Sequence, residues 1–186
     1  MSTARKRVIT FLTFLYWQVV LSIAIWENVD ITKFYQENDK IWTVNTTVQT
    51  KMFCKIDFVN KTTEKYTEFE RVYFWNDKMT QEYLHGQFIK SNILTERITT
   101  YDGMMIRSQN GSIYTSTEIL LKVYGNYTCG IFEVRLGPSQ QSAHYDIRVK
   151  DSTIYHPDAG CVEYFLTFTR NMSTTTIYNN SCQETR

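Results

Sequence analysis

Proline is almost absent from this chain, with two residues among 186. A proline-rich linker or disordered arm is therefore excluded, and the 13 tyrosines and 11 phenylalanines favour a fold dominated by β-sheet. No basic stripe runs along the sequence, so nucleic acid is not an expected partner. Beyond residue 25, no apolar run is long enough to cross a bilayer, so we expect no membrane-spanning segment there.

Motifs for catalysis and for metal binding are also missing. The histidines, His85, His144 and His156, form no H-x-x-x-H pair, and no G-x-S-x-G nucleophile motif occurs. The four cysteines lack the C-x-x-C spacing of a zinc site. The sequence therefore predicts a protein that is not an enzyme and that carries no metal or cofactor.

The N-terminal segment has the pattern of a secretory signal peptide. Residues 1–7 carry three positive charges and no negative one, and residues 8–25 are almost wholly apolar, with Ser22 and Ala24 near their end. We expect cleavage after Ala24, which leaves a single domain over residues 25–186 with a net charge of about −2. An uncleaved signal anchor is the alternative, because the apolar stretch approaches the length of a membrane span. In an exported chain of this size, an even number of cysteines indicates disulfides.

Six N-x-[ST] sequons support the secretory route, since only chains that enter it are modified at such sites. They begin at Asn45, Asn60, Asn110, Asn126, Asn171 and Asn179. The sequence thus predicts a secreted glycoprotein in which some or all of these sites are occupied.

Eight segments with strand character follow one another, with short turns between them. They are Ile41–Asn45, Thr50–Val59, Tyr66–Trp75, Gln81–Lys90, Glu96–Arg107, Ile113–Tyr124, Thr128–Leu136 and Ala143–Lys150. Short connections favour antiparallel neighbours, and closing eight strands into an up-and-down barrel removes both exposed edges. We therefore predict an all-β barrel, with a two-sheet sandwich as the alternative.

Helical patterns occur only near the two ends of the mature chain. Residues 28–38 predict a short amphipathic helix with Asp30 as its N-cap. A second helix is predicted to begin at Pro157-Asp158, and it would pack against the outside of the barrel.

Several short motifs carry a family resemblance through their order and spacing. They are Ile41-Trp-Thr-Val-Asn-Thr-Thr47, Cys54-Lys-Ile-Asp57, Tyr145-Asp-Ile-Arg-Val149, Cys161-Val-Glu-Tyr-Phe165 and Asn180-Ser-Cys182. Over nearly the whole mature chain they resemble the salivary lipocalins of ticks, a histamine-binding-protein-like family that includes the Japanin-like immunomodulatory group. The chain lacks a G-x-W motif before Trp42, as tick members commonly do.

This resemblance carries expectations about fold and function. It implies an eight-stranded lipocalin barrel with a C-terminal helix, found in saliva, which binds small host mediators or lipids and blunts host defences. It also implies that Cys54 pairs with Cys182 and Cys129 with Cys161, one of three pairings that four cysteines allow.

The disulfide pairing orients two strands. If Cys129 reaches a helix outside the barrel, alternation turns Phe132, Val134 and Leu136 toward the interior. On strand two, an outward Cys54 places Lys55 and Asp57 inside, against the usual burial preference. Either the C-terminal segment covers the outward apolar residues of that strand, or its register is interrupted. On strands six and eight, the apolar members of the alternation are expected to face inward. They are Ile119, Leu121, Val123, Tyr145, Ile147 and Val149.

The barrel lining decides which ligand is expected. The predicted lining residues are Trp42, Phe74, Leu84, Phe88, Met104, Leu121, Phe132 and Tyr145. They favour a sterol, a fatty acid or an eicosanoid-like ligand, although the same residues would also suit a filled core without a cavity. Histamine or serotonin would instead need a buried carboxylate and aromatic walls, and the candidates for that carboxylate are Glu70, Glu82 and Asp102.

Three functional hypotheses follow. The first is a secreted carrier of a mainly hydrophobic ligand that modulates host immune or inflammatory responses. The second is a scavenger of histamine or serotonin. The third is an immunomodulator that binds a host immune-cell protein through its outer surface. We expect a monomer, because glycans restrict the surface available for a dimer.

Overall fold

Antiparallel strands make up the body of the protein in the computed structural model, which describes residues 29–91, 100–109, 114–137 and 142–184. The strands are β1 Lys40–Thr46, β2 Met52–Thr62, β3 Tyr66–Trp75, β4 Lys78–Ile89, β5 Gly103–Ser108, β6 Tyr114–Tyr124, β7 Cys129–Leu136, β8 Ala143–Lys150 and a two-residue β9, Thr175–Thr176. The signal-peptide prediction, the sequon at Asn110 and the start of the predicted fifth strand lie outside the described residues.

The sheet closes on itself. Its strands follow in the order β2 to β8 and then β1, and β1 also pairs with β2, for example Ile41 with Asp57. Every one of these pairings is antiparallel. The predicted up-and-down barrel of eight strands is therefore confirmed, and the sandwich is excluded.

A single helical turn, α1 (Ile31–Phe34), plugs one end of the barrel, which we call the closed end. Asp30 caps it by accepting a hydrogen bond from the Thr32 N–H at 3.1 Å, as predicted, although the helix is much shorter than residues 28–38. Ile31, Phe34 and the following Tyr35 are fully buried. A Cβ on Gly130 would lie 2.8 Å from the Phe34 ring, so the plug sits tightly against β7.

The second helix, α2 (Ala159–Phe168), packs outside the barrel as predicted. Asp158 caps this helix, because its Oδ1 accepts a hydrogen bond from the Cys161 N–H at 3.1 Å. The disulfides Cys129–Cys161 and Cys54–Cys182 are both formed, which confirms the expected pairing. The first ties α2 to β7, and the second ties the C-terminal segment to β2. In the described part of the chain, no helix combines the length and the apolarity needed to cross a bilayer.

Two separate apolar clusters follow from this arrangement. The inner cluster lies inside the barrel and comprises Ile31, Phe34, Tyr35, Ile41, Val59, Phe69, Leu84, Phe88, Met104, Ile106, Leu120, Val123, Phe132 and Val134. The outer cluster lies under α2 and the C-terminal segment, and its buried members are Trp42, Cys54, Ile56, Val72, Cys129, Ile131, Ile147, Val149, Ile154, Cys161, Phe165, Tyr178 and Cys182. Several strands are thus buried on both faces.

Both explanations offered for strand β2 hold. Ile56 belongs to the outer cluster, which includes Tyr178 and Cys182 of the C-terminal segment, and Phe58 packs against this cluster. The register with β3 also shifts between Phe53 and Ile56, at the bulge where Cys54 has a φ of 52°. Lys55 and Asp57 therefore point inward and are buried.

The expected inward faces of β6 and β8 need correction. On β8, Ile147 and Val149 belong to the outer cluster with Tyr145 packed against it, while Asp146 and Arg148 point inside. On β6, the inward residues are Glu118 and Leu120 rather than Ile119 and Leu121. A register shift between Leu120 and Lys122 restores the expected inward phase for Val123. The strand β7 prediction is confirmed for Phe132 and Val134.

Candidate ligand-binding site

Six charged side chains form a layer across the interior of the barrel. We call this group the ionic layer: Lys55, Asp57, Arg71, Glu118, Asp146 and Arg148. All six are buried. Three cations face three anions, so the layer is balanced in charge, which is the condition under which buried ions are tolerated.

Arg71 and Arg148 hold the layer together. Arg71 binds Asp57 through two nitrogens, with Nε at 2.7 Å from Oδ1 and Nη2 at 2.8 Å from Oδ2. Its Nη1 donates to Glu118 Oε1 at 2.9 Å. Arg148 donates to Glu118 and, through Nη2, to Asp146 Oδ2 at 2.9 Å. Because these partners lie on strands that are not all neighbours, the contacts cross the interior.

The ionic layer also connects to the plug at the closed end. The Tyr35 hydroxyl donates to Asp57 Oδ2 at 2.9 Å and accepts from Arg148 Nη1 at 2.7 Å. Burial raises the pKa of Tyr35 well above its ordinary value, so the phenol stays protonated and can donate. One end of the barrel is therefore held by hydrogen bonds as well as by apolar packing.

Burial by itself raises the pKa of the carboxyl groups of Glu118 and Asp146, but nearby cations outweigh it. Arg148 and Arg71 hold the pKa of Glu118 well below its ordinary value. Lys55 and Arg148 likewise lower the pKa of Asp146. Both carboxylates are consequently charged at neutral pH.

The two basic side chains next to Asp146 respond in the opposite way. Burial lowers the pKa of Lys55, with Asp146 opposing this shift. Burial also lowers the pKa of His144, whose Nε2 lies 3.6 Å from Asp146 Oδ1. At neutral pH, His144 is therefore mostly the uncharged imidazole.

The ionic layer divides the interior into two halves. Toward the closed end, Phe69, Phe88, Met104 and Phe132 fill the space, with exposures of 4% or less. The filled-core alternative is thus correct for this half. Toward the other end, which we call the open end, a cavity of about 360 Å³ remains.

The cavity has a charged floor and mixed walls. Its floor consists of the layer residues Lys55, Arg71, Glu118 and Asp146. Its remaining lining includes Met52, Tyr73, Trp75, Glu82, Leu84, Ser116, Val134, Leu136, His144 and Ile177. A ligand here meets ionised groups at one end and mainly apolar groups around its sides.

Among the three carboxylates that line the cavity, Glu82 differs from the others. Glu118 and Asp146 form salt bridges with cations, whereas no cation in the described residues lies within salt-bridge distance of Glu82. The Tyr73 hydroxyl donates to Glu82 Oε1 at 3.4 Å. Trp75 lies on the same strand as Tyr73 and also lines the cavity. Glu82 therefore lacks a salt-bridge partner among the described residues, lies beside the Tyr73 ring and shares the cavity with Trp75.

The other carboxylates named from sequence do not line this cavity. Glu70 points outward from β3 and accepts a hydrogen bond from Gln81. Asp102 is buried away from the cavity, where it accepts hydrogen bonds from the N–H and the hydroxyl of Ser91. Of the three candidates, the structure brings only Glu82 to the cavity.

The eight predicted lining residues divide between the two faces of the sheet. Leu84, Phe88, Met104 and Phe132 belong to the inner cluster, and Leu84 also lines the cavity. Trp42, Phe74 and Tyr145 lie in or against the outer cluster, so their expected inward orientation is wrong. Leu121 is 36% exposed and is likewise not part of the inner cluster. Trp42 donates from Nε1 to Asp151 Oδ1 at 2.7 Å beneath the C-terminal segment.

The sequons also differ in exposure. Asn60, Asn126, Asn171 and Asn179 are exposed, and all could carry a glycan without disturbing the barrel. Asn45 is half-buried within β1, between β8 and β9, and its Oδ1 is buried.

Sequence reasoning missed most of the ionic layer. Its assignment of inward faces assumed that the apolar side of a strand faces the interior, which fails where α2 and the C-terminal segment bury the outer side. The one available signal was the outward position of Cys54, which correctly turned Lys55 and Asp57 inward.

A closed barrel of eight antiparallel strands, with a plugged end, an open end and a helix packed outside, defines a lipocalin fold. Solved structures share it. A protein designated AM182, crystallised as a serotonin complex, matches with a TM-score of 0.56 and 18% identity, over 81% of this chain and 90% of that chain. Japanin from Rhipicephalus appendiculatus, bound to cholesterol, matches with a TM-score of 0.53 and 6% identity, over 80% and 97%. The siderocalin Ex-FABP matches with a TM-score of 0.54 and 10% identity, over 77% and 94%. The predicted lipocalin fold is therefore confirmed, while neither a protein-family model nor a curated protein sequence matches the chain significantly.

Proposed function

We propose that this protein is a secreted binding protein whose barrel holds one small amine in the cavity at the open end. The observation that carries the proposal is the uncompensated carboxylate of Glu82, since the ionic layer below it is balanced in charge. A protonated amine placed against Glu82 would restore neutrality to the cavity. The serotonin complex among the structures with this fold agrees with such a ligand.

The aromatic walls of the cavity that contains Glu82 suit an organic cation. Tyr73 and Trp75 supply aromatic faces for cation-π contact, and Trp75 is 45% exposed and so accessible from the open end. The polar floor offers donors and acceptors to a hydroxyl or ring nitrogen at the other end of the ligand. Histamine and serotonin both have this division into an ammonium group and a polar aromatic ring.

The size of the cavity favours the amine over a sterol. A volume of about 360 Å³ lies near the lower limit of ordinary ligand pockets, which begin at roughly 300 Å³. A sterol would also place its apolar body against a charged floor and remove water from these ions without offering them a hydrogen bond. We therefore place the small amine before the wholly apolar ligand that the sequence favoured.

Calorimetric titration with serotonin, histamine and tryptamine tests the proposal. Glu82→Gln removes the charge and keeps the shape, so we expect affinity to fall by about tenfold to a hundredfold, as for loss of a charged hydrogen bond. Glu70→Gln is the matched control, because Glu70 lies one register pair away but on the outer face of β3, so this substitution should leave affinity unchanged. Equal affinities of wild type and Glu82→Gln would refute the assignment.

A mainly hydrophobic ligand is the second candidate, favoured by the apolar walls formed by Met52, Leu84, Val134 and Leu136. Native mass spectrometry of the purified glycoprotein, followed by solvent extraction, separates the two. A fatty acid or eicosanoid-like compound released by solvent, combined with no effect of Glu82→Gln, would favour this candidate.

The setting proposed for this activity is outside the cell. Two disulfides support export, because they persist in oxidising compartments. The resemblance to tick salivary lipocalins supports secretion in saliva, N-glycosylation and an effect on host immune or inflammatory responses. Binding of the purified protein to host immune cells, unchanged when the cavity is empty, would instead assign that effect to its outer surface.

A further inference from the structure

Lys55 is the one member of the ionic layer that ends in a primary amine. Its Nζ makes a single hydrogen bond in the described part of the chain, to Asp146 Oδ2 at 3.4 Å. An ammonium group has three donors, so this contact leaves the nitrogen incompletely satisfied. The side chain is 9% exposed and lines the cavity, so it remains within reach of a ligand there.

Burial and four neighbouring charges together set the pKa of Lys55. Burial lowers its pKa, and Arg71 and Arg148 add to this effect, whereas Asp146 and Glu118 oppose it. The result is a lower pKa than that of an ordinary lysine, and a larger fraction of neutral amine. A desolvated lysine of this kind is the usual nucleophile toward carbonyl compounds.

Asp146 and His144 complete the arrangement around the amine. Asp146 stays ionised, so it can stabilise a positively charged nitrogen after reaction as well as before it. His144 lies 3.6 Å from the same carboxylate, faces the cavity and is mostly neutral at pH 7. It is therefore available to carry a proton between the reacting nitrogen and oxygen.

We propose that Lys55 forms a reversible imine with a small aldehyde that enters through the open end. The neutral amine adds to the carbonyl carbon and gives a carbinolamine. The former carbonyl oxygen then leaves as water with the two amine hydrogens, and a carbon–nitrogen double bond forms without any oxidant or reductant. Protonation of the imine restores the positive charge beside Asp146, so the ionic layer stays balanced.

The walls define the class of aldehyde. Leu84, Val134 and Met52 surround the space above the charged floor, so an aliphatic aldehyde can place its carbonyl at Lys55 and its chain against these residues. This site does not depend on amine binding at Glu82, and each can be tested while the other is absent.

Reductive trapping tests the proposal on the full secreted protein. The protein is incubated with hexanal and sodium cyanoborohydride, which converts an imine into a stable secondary amine, and the modified lysines are located by peptide mapping. Lys51 and Lys78 are exposed lysines that serve as internal references. At neutral pH, we expect the adduct at Lys55 to form about tenfold faster than at Lys78, because a larger fraction of the buried amine is neutral.

Two controls test whether the folded structure, and not the intrinsic reactivity of a lysine, causes the preference for Lys55. In guanidinium chloride, the preference for Lys55 should disappear, because both the cavity and the charge environment are lost. Lys55→Arg should retain the positive charge and lose the trapped adduct, whereas Lys78→Arg should leave modification at Lys55 unchanged. The peptide map of the modified wild-type protein tests the proposal even if Lys55→Arg does not fold. Modification of Lys51 and Lys78 with none at Lys55, or equal rates at Lys55 and Lys78, would overturn the proposal, whatever the amine titration shows.

Discussion

Arg71 on β3 and Glu118 on β6 meet inside the barrel, with Nη1 of the arginine 2.9 Å from Oε1 of the glutamate. Strands β4 and β5 separate the two in the sheet, so the bond crosses the interior. It belongs to the ionic layer that separates a filled half from a half with a cavity. This pair therefore sets the depth to which a ligand can enter.

Glu118→Gln should strongly destabilise the protein. The substitution leaves Arg71 and Arg148 buried with one anion fewer, and breaking a buried ionic group in this way costs about 3–5 kcal/mol. Urea denaturation gives the free energy of unfolding. Glu163→Gln is the matched control, because Glu163 is exposed on α2 and should change stability by no more than about 0.5 kcal/mol. Similar values for the two variants would contradict the role assigned to the layer.

Tyr35→Phe should reduce the free energy of unfolding only through the loss of the phenol hydroxyl. The ring keeps its packing against Phe69 and Phe132, whereas the hydrogen bonds with Asp57 and Arg148 are lost. We expect a loss of about 1–3 kcal/mol, because two buried hydrogen bonds with charged groups are lost. Tyr155→Phe, at a residue that is 62% exposed, should leave the free energy of unfolding unchanged. An unchanged value for Tyr35→Phe would show that the plug is held by apolar packing alone.

Acid should destabilise the protein through Glu118 and Asp146. The folded-state pKa of each lies below the value of roughly 4 expected in the unfolded chain. As the pH falls, the unfolded chain therefore takes up protons first, and the stability present above about pH 4 is lost as the pH drops toward the folded-state values. The free energy of unfolding, measured by urea denaturation at pH 5, 4, 3 and 2.5, should fall steadily below pH 4. A free energy of unfolding that does not change with pH across this range would contradict the predicted ionisation of Glu118 and Asp146.

Asn45 should carry no glycan in the folded protein. Asn45 is half-buried on β1, which pairs there with β8 and β9, and its Oδ1 is buried, so a bulky sugar on this amide would disturb the local packing. Glycopeptide mapping after expression in insect cells should find glycans only at other sequons, such as the exposed Asn60, Asn126, Asn171 and Asn179. Asn45→Gln should leave the glycan mass unchanged, whereas Asn60→Gln provides the comparison at an exposed site. A glycan on Asn45 of folded protein would disprove this placement of β1.

The elements of the fold could be predicted from the sequence because they depend on local patterns. Strand β3 has the predicted bounds, Tyr66–Trp75, and so does β8, Ala143–Lys150. The turns between strands were short enough to require antiparallel pairing, and hence a barrel. The lengths of α1 and β5 were less predictable, because plug contacts rather than periodicity end α1 after one turn.

The candidate site was only partly predictable. The position of Cys54 indicated that Lys55 and Asp57 point inward, and Glu82 was among the named carboxylates. Asp146 and Arg148 were assigned to the outside, because alternation alone does not tell which face of a strand is the inner one. On β8 both faces are buried, one by the barrel interior and one by the outer cluster.

By itself, the sequence determined the strand segments and their antiparallel succession. The cysteine pairing that the family resemblance implied added the outward faces of β2 and β7. Only the tertiary structure decided which charges meet inside, because Arg71, Glu118 and Arg148 are distant in the chain and acquire their partners when the barrel closes. Desolvation explains the difference. A charge can remain in the interior only beside its counter-ion, and that requirement appears only after folding has removed the water.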